Sequence, residues 1–169
     1  MTRPPPFTLA TSAWYYRFPI DRLLNGYKHH GKLDLERALQ TLIADQPLPW
    51  PQADLLCPLP AHWLRKARRG FDQAERLTAF LGRHWQRPVR PLLRRTRATA
   101  HQQGGNRAHR LRNLQGAFRA SPHSRGQRIL LIDDVMTTGA SARTAAQALL
   151  HAGASEVRVW VLARTLTDP

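Results

Sequence analysis

Two adjacent carboxylates stand just before a cluster of hydroxyls and a glycine in the run Asp133-Asp134-Val135-Met136-Thr137-Thr138-Gly139-Ala140-Ser141. Thr137, Thr138 and Ser141 supply hydroxyl donors, and Gly139 lets a backbone come close to a ligand. If a helix starts here, its unpaired N–H groups and positive dipole end complete a cup that fits a phosphate monoester. Asp133 and Asp134 repel phosphate but accept hydrogen bonds from the vicinal hydroxyls of a sugar. Phosphate joined to ribose is therefore the implied ligand. The alternative is that these residues only cap a helix and close a turn, but a cap needs one such residue rather than the whole set.

The elements around this run are those that would hold it at the edge of a sheet. A continuous apolar run over Gln127 to Ile132 predicts a buried strand with the carboxylates at its end, and Ala140 to Ala152 predicts a small-residue helix stopped by Gly153. Upstream, Ala53 to Pro58 predicts a short buried strand. Asp72 then stands as the N-cap of a helix running to about Trp85, and Pro88 to Leu93 predicts another strand. Val157 to Ala163 predicts the last one. Short buried strands alternating with helices imply an α/β fold with a parallel sheet covered on both faces. Before these, Ala13 to Phe18 reads as an aromatic strand, and Ile20 to Tyr27 and Leu33 to Ala44 read as helices, joined to the rest by the rigid Pro47-Leu48-Pro49-Trp50-Pro51 connector. Residues 1–46 are thus expected as an N-terminal segment and 47–169 as the α/β core of one compact domain. Arg94 to Asn113 is polar without a sustained period, which predicts a long mobile loop or a marginal hairpin.

The chain has 169 residues, with 26 Lys+Arg against 11 Asp+Glu and a formal charge of +15. Most of that charge is arginine and is concentrated between His62 and Arg128, where Asp72 and Glu75 are the only acids. An anionic partner is expected, since the guanidinium fork grips phosphate oxygens in pairs. The lone Cys57 excludes an internal disulfide framework and fits a reducing compartment and a core role. No stretch is long and apolar enough for a membrane span or signal, so a cytoplasmic protein with no membrane partner is expected. The patterns G-x-x-x-x-G-K-[ST], G-x-G-x-x-G and G-x-S-x-G are all missing, which argues against a nucleoside triphosphatase, a dinucleotide enzyme and a serine hydrolase. His29, His30, His101 and His109 lack second ligands at metal-like spacing and read as loop or surface residues.

The run from Asp133 to Ser141 resembles the 5-phosphoribosyl 1-pyrophosphate (PRPP) signature of type I phosphoribosyltransferases, and the rest of the chain resembles the competence-associated ComF branch. The branch-specific pieces are Cys57-Pro58-Leu59-Pro60 followed by Arg68-Arg69-Gly70-Phe71-Asp72-Gln73-Ala74, then Arg97, Thr99, Gln102, Arg110, Asn113 and Ala117-Phe118, and the ending Val161-Leu162-Ala163-Arg164.

The resemblance implies a type I phosphoribosyltransferase-like fold with a small N-terminal hood before Pro47. It implies transfer of ribose 5-phosphate to an acceptor with release of pyrophosphate, and a link to natural competence. Asp133 and Asp134 would hold the ribose hydroxyls and serve catalysis, and Thr137, Thr138, Gly139, Ala140 and Ser141 would wrap the 5-phosphate. Arg68, Arg69 and Gly70 would face the pyrophosphate, and Arg97, Gln102, Arg110 and Asn113 lie on what would be the flexible loop that closes the site. Mg²⁺, carried by PRPP and met by Asp133 and Asp134, suits the hard diphosphate and ribose oxygens. A helicase component of the competence machinery is a further implied partner. Thr137 stands where purine-salvage members carry Asp, and Asp72 where the branch usually has Asn. The four-cysteine zinc ribbon with which members commonly begin has no counterpart after Met1-Thr2-Arg3-Pro4, so no zinc is expected. A competing reading is a non-catalytic single-stranded DNA-binding module on the same fold, using the basic middle. Trp14, Tyr15, Tyr16 and Tyr27 suit either a core or a face that stacks on an aromatic acceptor.

Overall fold

A computed structural model describes residues 4–30, 33–61, 72–96 and 116–165 of the chain. Its centre is a parallel sheet built from β1 (Ala10–Tyr15), β2 (Leu55–Pro58), β5 (Arg128–Met136) and β6 (Glu156–Arg164), in the order β1-β6-β5-β2. Parallel strands must be joined by crossovers that cover the sheet, so both faces of its middle strands are buried and their sequences lose polar alternation. In β5, Ile129 and Leu131 face one apolar cluster while Leu130 and Ile132 face the other, and all four are essentially inaccessible. Burying each such side chain contributes about 1.5–3 kcal/mol relative to leaving it in water.

The first face is covered by α4 (Ala140–His151), whose Ala142, Ala145, Ala146 and Leu149 lie in one cluster with Val157, Val159 and Val161 of β6. The alanines keep this helix close to the sheet. Against the second face pack α1 (Ile20–His30), α2 (Leu33–Ala44) and α3 (Gln73–His84) through Leu24, Leu39, Ile43 and Leu81. Trp85, which closes α3, meets Trp160 edge-on at 5.4 Å and donates its indole N–H to Gln46 O at 2.9 Å. That contact ties α3 to the end of α2.

Several boundaries differ from the sequence expectation. β1 covers Ala10–Tyr15 rather than Ala13 to Phe18, and it lies in the core sheet as the edge strand beside β6. Of the N-terminal segment, α1 and α2 sit on the second face of the sheet, and Phe7 packs against the cluster on the first. β5 does not stop at Ile132 but runs through both carboxylates to Met136, because β6 continues beside it with Asp133 opposite Val161 and Met136 opposite Arg164. The strand expected over Pro88 to Leu93 is not formed. Instead Pro88 to Arg90 lies along the outer edge of β2, with Leu56 N–H donating to Pro88 O at 2.9 Å and Arg90 N–H to Leu56 O at 3.0 Å. Gly82 permits this approach, since a Cβ there would strike the Val89 side chain.

The chain then turns into β3 (Leu93–Arg95), which pairs antiparallel with β4 (Phe118–Ala120) as a separate two-stranded ribbon. The expectation of a loop or marginal hairpin from Arg94 to Asn113 therefore begins inside a strand, and most of that segment lies outside the described residues. No helix among the described residues is long and apolar enough to cross a membrane.

Candidate functional site

The carboxyl end of a parallel sheet is where ligands meet the loops that leave its strands. Here β5 delivers Asp133 and Asp134, both half-buried, to that end. Each carboxylate is oriented by the peptide that follows it: Asp134 N–H donates to Asp133 Oδ1 at 2.8 Å, and Val135 N–H to Asp134 Oδ1 at 2.7 Å. After Met136 the chain turns through Thr137, Thr138 and Gly139 into α4. Gly139 takes a left-handed conformation, φ 71° and ψ 8°, and occupies the N-cap position without any side-chain cap. The first-turn amides of α4 thus have no acceptor from the capping residue, at the positive end of the helix dipole. Thr137 is exposed, Thr138, Gly139 and Ser141 are half-buried and Ala140 is buried, so backbone and hydroxyls surround the turn while the helix stays anchored.

The other helix entering this end is finished differently. Asp72 caps α3, with Oδ1 accepting from Ala74 N–H at 3.0 Å and Glu75 N–H at 3.4 Å, while Oδ2 accepts from Ala61 N–H at 2.9 Å. Only 3% of Asp72 is exposed, and burial pushes its carboxyl above the usual range against the opposing pull of these amides. Cys57, on β2, is fully buried among the first cluster, and desolvation pushes its thiol up to about 12. It is a core residue, as its position suggested.

Asp134 also lines a shallow cleft on the second face of the sheet. Its walls are apolar, from Leu24, Leu39, Ile43, Leu77, Phe80 and Leu162, and its polar groups besides Asp134 are Gln40, Gln73 and Arg76. Sequence reading missed these residues. The signal was present, because Gln73, Arg76, Leu77 and Phe80 recur at i, i+3, i+4 and i+7 and so share one face of α3. Of the aromatics weighed as stacking faces, Tyr15 is exposed under the guanidinium of Arg17. Trp14 and Tyr16 pack against the second cluster, Tyr16 Oη donating to Asn25 Oδ1 at 2.9 Å. The side chain of Tyr27 lies outside the described residues, and Trp14, Tyr15 and Tyr16 do not line the cleft.

Arg68, Arg69 and Gly70, and Arg97, Gln102, Arg110 and Asn113, lie outside the described residues. The chain on either side of both segments is placed. Leu59 N–H donates to Ile132 O at 2.8 Å, next to Asp133, and Thr96 N–H donates to Ala117 O at 2.8 Å where β3 and β4 close the second segment. On that ribbon Arg94 stands directly opposite Arg119, both exposed. Among the described residues no group of three His, Cys, Asp or Glu side chains is placed to hold a metal ion. The hard oxygens offered by the protein at the sheet end are those of Asp133 and Asp134, which suit a cation arriving with most of its ligands from a substrate.

Residues 74–168 match the phosphoribosyl transferase domain. The chain is 33% identical to the DNA utilization protein YhgH of Salmonella typhi and 32% identical to that of Escherichia coli K12, in each case covering 98% of this chain and 76% of the relative. It is 29% identical to competence protein F of Haemophilus influenzae, over 89% of this chain and 70% of that one. Among solved structures it resembles the glutamine PRPP amidotransferase from B. subtilis complexed with ADP and GMP, at TM-score 0.50, 20% identity and coverage of 73% of this chain and 25% of the other. It also resembles an allosteric regulatory enzyme of purine biosynthesis, at TM-score 0.55, 19% identity and coverage of 80% and 29%.

Proposed function

Because the chain belongs to the phosphoribosyl transferase domain family, on the branch of the DNA utilization and competence proteins, we propose that it binds PRPP and transfers ribose 5-phosphate to an acceptor with release of pyrophosphate. The observation that carries this reading is the pairing of a helix N-terminus lacking a side-chain cap, at Gly139, with two carboxylates one turn upstream on β5. The amides and hydroxyls of residues 137–141 receive the 5-phosphate, and Asp133 and Asp134 receive the ribose hydroxyls. Breaking the bond from C1 to the pyrophosphate oxygen leaves positive charge on the ribose and negative charge on the leaving group. Asp133 and Asp134 lie on the cationic side of that separation, and Arg68 and Arg69 take the anionic side. Mg²⁺, met by Asp133 and Asp134, supplies charge neutralisation on the diphosphate when bound. The acceptor enters from the cleft that Asp134 shares with α1, α2 and α3, where apolar walls keep water away from C1.

Calorimetry with PRPP and Mg²⁺ tests this reading. Replacing both Asp133 and Asp134 with Ala is expected to cost about 2–4 kcal/mol of binding, two sets of charged hydrogen bonds. Equal affinity in wild type and double variant would sink the assignment. Pyrophosphate release in the presence of candidate acceptors then separates an enzyme from a PRPP-binding protein.

A second reading is single-stranded DNA held along the basic middle. It is favoured by the exposed Arg94 and Arg119 facing one another across β3 and β4, since like charges directly opposite are unfavourable unless an anion lies between them. Binding whose log affinity falls with log salt at about −0.7 per phosphate contacted, and which Arg94→Ala with Arg119→Ala lowers, supports it. Salt-independent binding, or none, removes it.

A further inference from the structure

The two edges of the central sheet are finished differently. The outer edge of β2 is occupied by Pro88 to Arg90, with Leu56 N–H donating to Pro88 O at 2.9 Å and Arg90 N–H to Leu56 O at 3.0 Å. Among the described residues, β1 pairs with β6 and with no other strand. Val159 N–H donates to Leu9 O at 2.9 Å, which turns the Ala10 N–H away from β6, and the alternation of a strand turns the peptide groups of Ser12 the same way. The N–H and C=O groups of Ala10 and Ser12 therefore form a row along the rim of the sheet. Natural edges are ordinarily blunted by charge, proline or a covering segment, yet Ala10–Tyr15 contains neither a charge nor a proline.

The surroundings of this rim select what can join it. Near its start the Arg143 guanidinium donates to Pro4 O at 2.9 Å, and at its end Arg17 lies over the Tyr15 ring while Arg164 stands opposite Tyr15 on β6. Against these cations stand Asp21, in the first turn of α1, and Glu156, already bonded to Arg158 Nε at 2.8 Å. Antiparallel pairing of two copies would set the Arg143 end of each strand against the Arg17 and Arg164 end of the other, between chains that each carry a formal charge of +15. Nucleic acid would meet the arginines but has no ladder of alternating donors and acceptors to match the peptide groups. We propose that the outer edge of β1 is a docking site for an acidic, extended segment of a partner protein, which joins the sheet as a fifth strand. Acids at both ends of the added strand meet Arg143 and the Arg17–Arg164 pair, and an apolar side chain near the second end rests on Tyr15 and Phe18, which are 53% and 77% exposed. The six residues of β1 set the length of the contact at about 20 Å.

The test is fluorescence anisotropy of the full chain with a labelled peptide of three threonine-valine repeats between paired glutamates. Replacing the glutamates with lysines is expected to weaken binding at least about tenfold. Ser12→Pro, which removes one outward donor and no bond to β6, is expected to do the same, the fold-change of one lost hydrogen bond, while its melting curve shows that it folds. Two further peptides, N-methylated at odd or at even positions, test the strand geometry on wild-type protein and decide the matter if Ser12→Pro does not fold. One phase should bind and the other should not, because only alternate amides face β1. Wild-type protein that ignores the glutamate peptide, a folded Ser12→Pro that binds it as wild type does, or equal effects of the two methylation phases overturns the proposal. A wild-type dimer in analytical ultracentrifugation that Ser12→Pro converts to monomer overturns it in favour of a second copy. Displacement of the peptide by oligothymidylate, from wild type and Ser12→Pro alike, overturns it in favour of nucleic acid.

Discussion

Replacing Gly139 with Ala isolates the backbone contribution to the phosphate cup. A Cβ at this position would lie 3.4 Å from Met136 Sδ and 3.9 Å from its Cγ, which is ordinary contact, so crowding adds little. The cost comes from holding an L-residue at φ 71°, about 1–2 kcal/mol. For a chain of 169 residues the unfolding entropy is about 2.1 cal/mol/K per residue, or roughly 0.35 kcal/mol/K, so Tm should fall by about 3–6 °C. Gly139→Asn, which tolerates the left-handed region, should recover much of that loss. PRPP affinity should follow the same order, wild type above Asn above Ala, because the φ of residue 139 aims the first-turn amides of α4. Differential scanning calorimetry reads the first effect and titration calorimetry the second. A Gly139→Ala protein melting within about 1 °C of wild type would refute the strain argument, and an unstrained turn would leave no reason for the amides to be pre-aimed.

Two further outcomes follow from the surroundings of the site. With its thiol pushed up to about 12 by burial, Cys57 should resist iodoacetamide at pH 8 in the folded protein and react fully once urea exposes β2, as mass spectrometry would record; rapid native-state labelling would contradict its place in the core. Asp54, where β2 begins, accepts from the Arg128 guanidinium and from its backbone N–H, both at 2.7 Å, and the Arg128 side chain, then that backbone bond, hold its carboxyl below the usual value. A depressed folded value gives stability that is present above about pH 4 and lost as pH falls through the folded value, so the small Tm deficit of Asp54→Asn at about pH 6 should shrink as pH is lowered below about 4. A deficit constant across that range would mean the carboxylate's charge is not what matters.

What could be read from the sequence was whatever is decided locally. The Asp72 cap, the stop of α4 at Gly153 and the burial of β5 on both faces are each specified within a few residues, and each is present. The errors fall where a distant partner decides. Leu93–Arg95 becomes a strand because Phe118–Ala120 lies beside it, with the Arg95 guanidinium 5.3 Å from the Phe118 ring centre. Val89, in a stretch that looked equally extended, meets only Leu56 in an isolated bridge. β5 gains Asp133 to Met136 for the same reason, since two acids would not extend a strand without β6 alongside. The carboxylates and the hydroxyl turn were legible because the chemistry is contiguous. The cleft beside Asp134 was not, because its walls come from α1, α2, α3 and β6 at once.

The register of the edge strand has a consequence for how the chain is made. Ala10 of β1 finds its partner at Val159 of β6, so β1 leaves the ribosome long before the strand it must pair with. At about 5–20 residues per second, the intervening 149 positions, from 10 to 159, take roughly 7–30 s to synthesise. During that interval Phe7 to Tyr16 is a stretch without charge and without proline, rich in aromatic and small residues, which is the composition most prone to wrong pairing. The core around β2 and β5 can condense before β6 is complete, but the sheet cannot take its final width. Chaperone dependence of the nascent chain should therefore be concentrated in its first strand and relieved only when Glu156–Arg164 emerges.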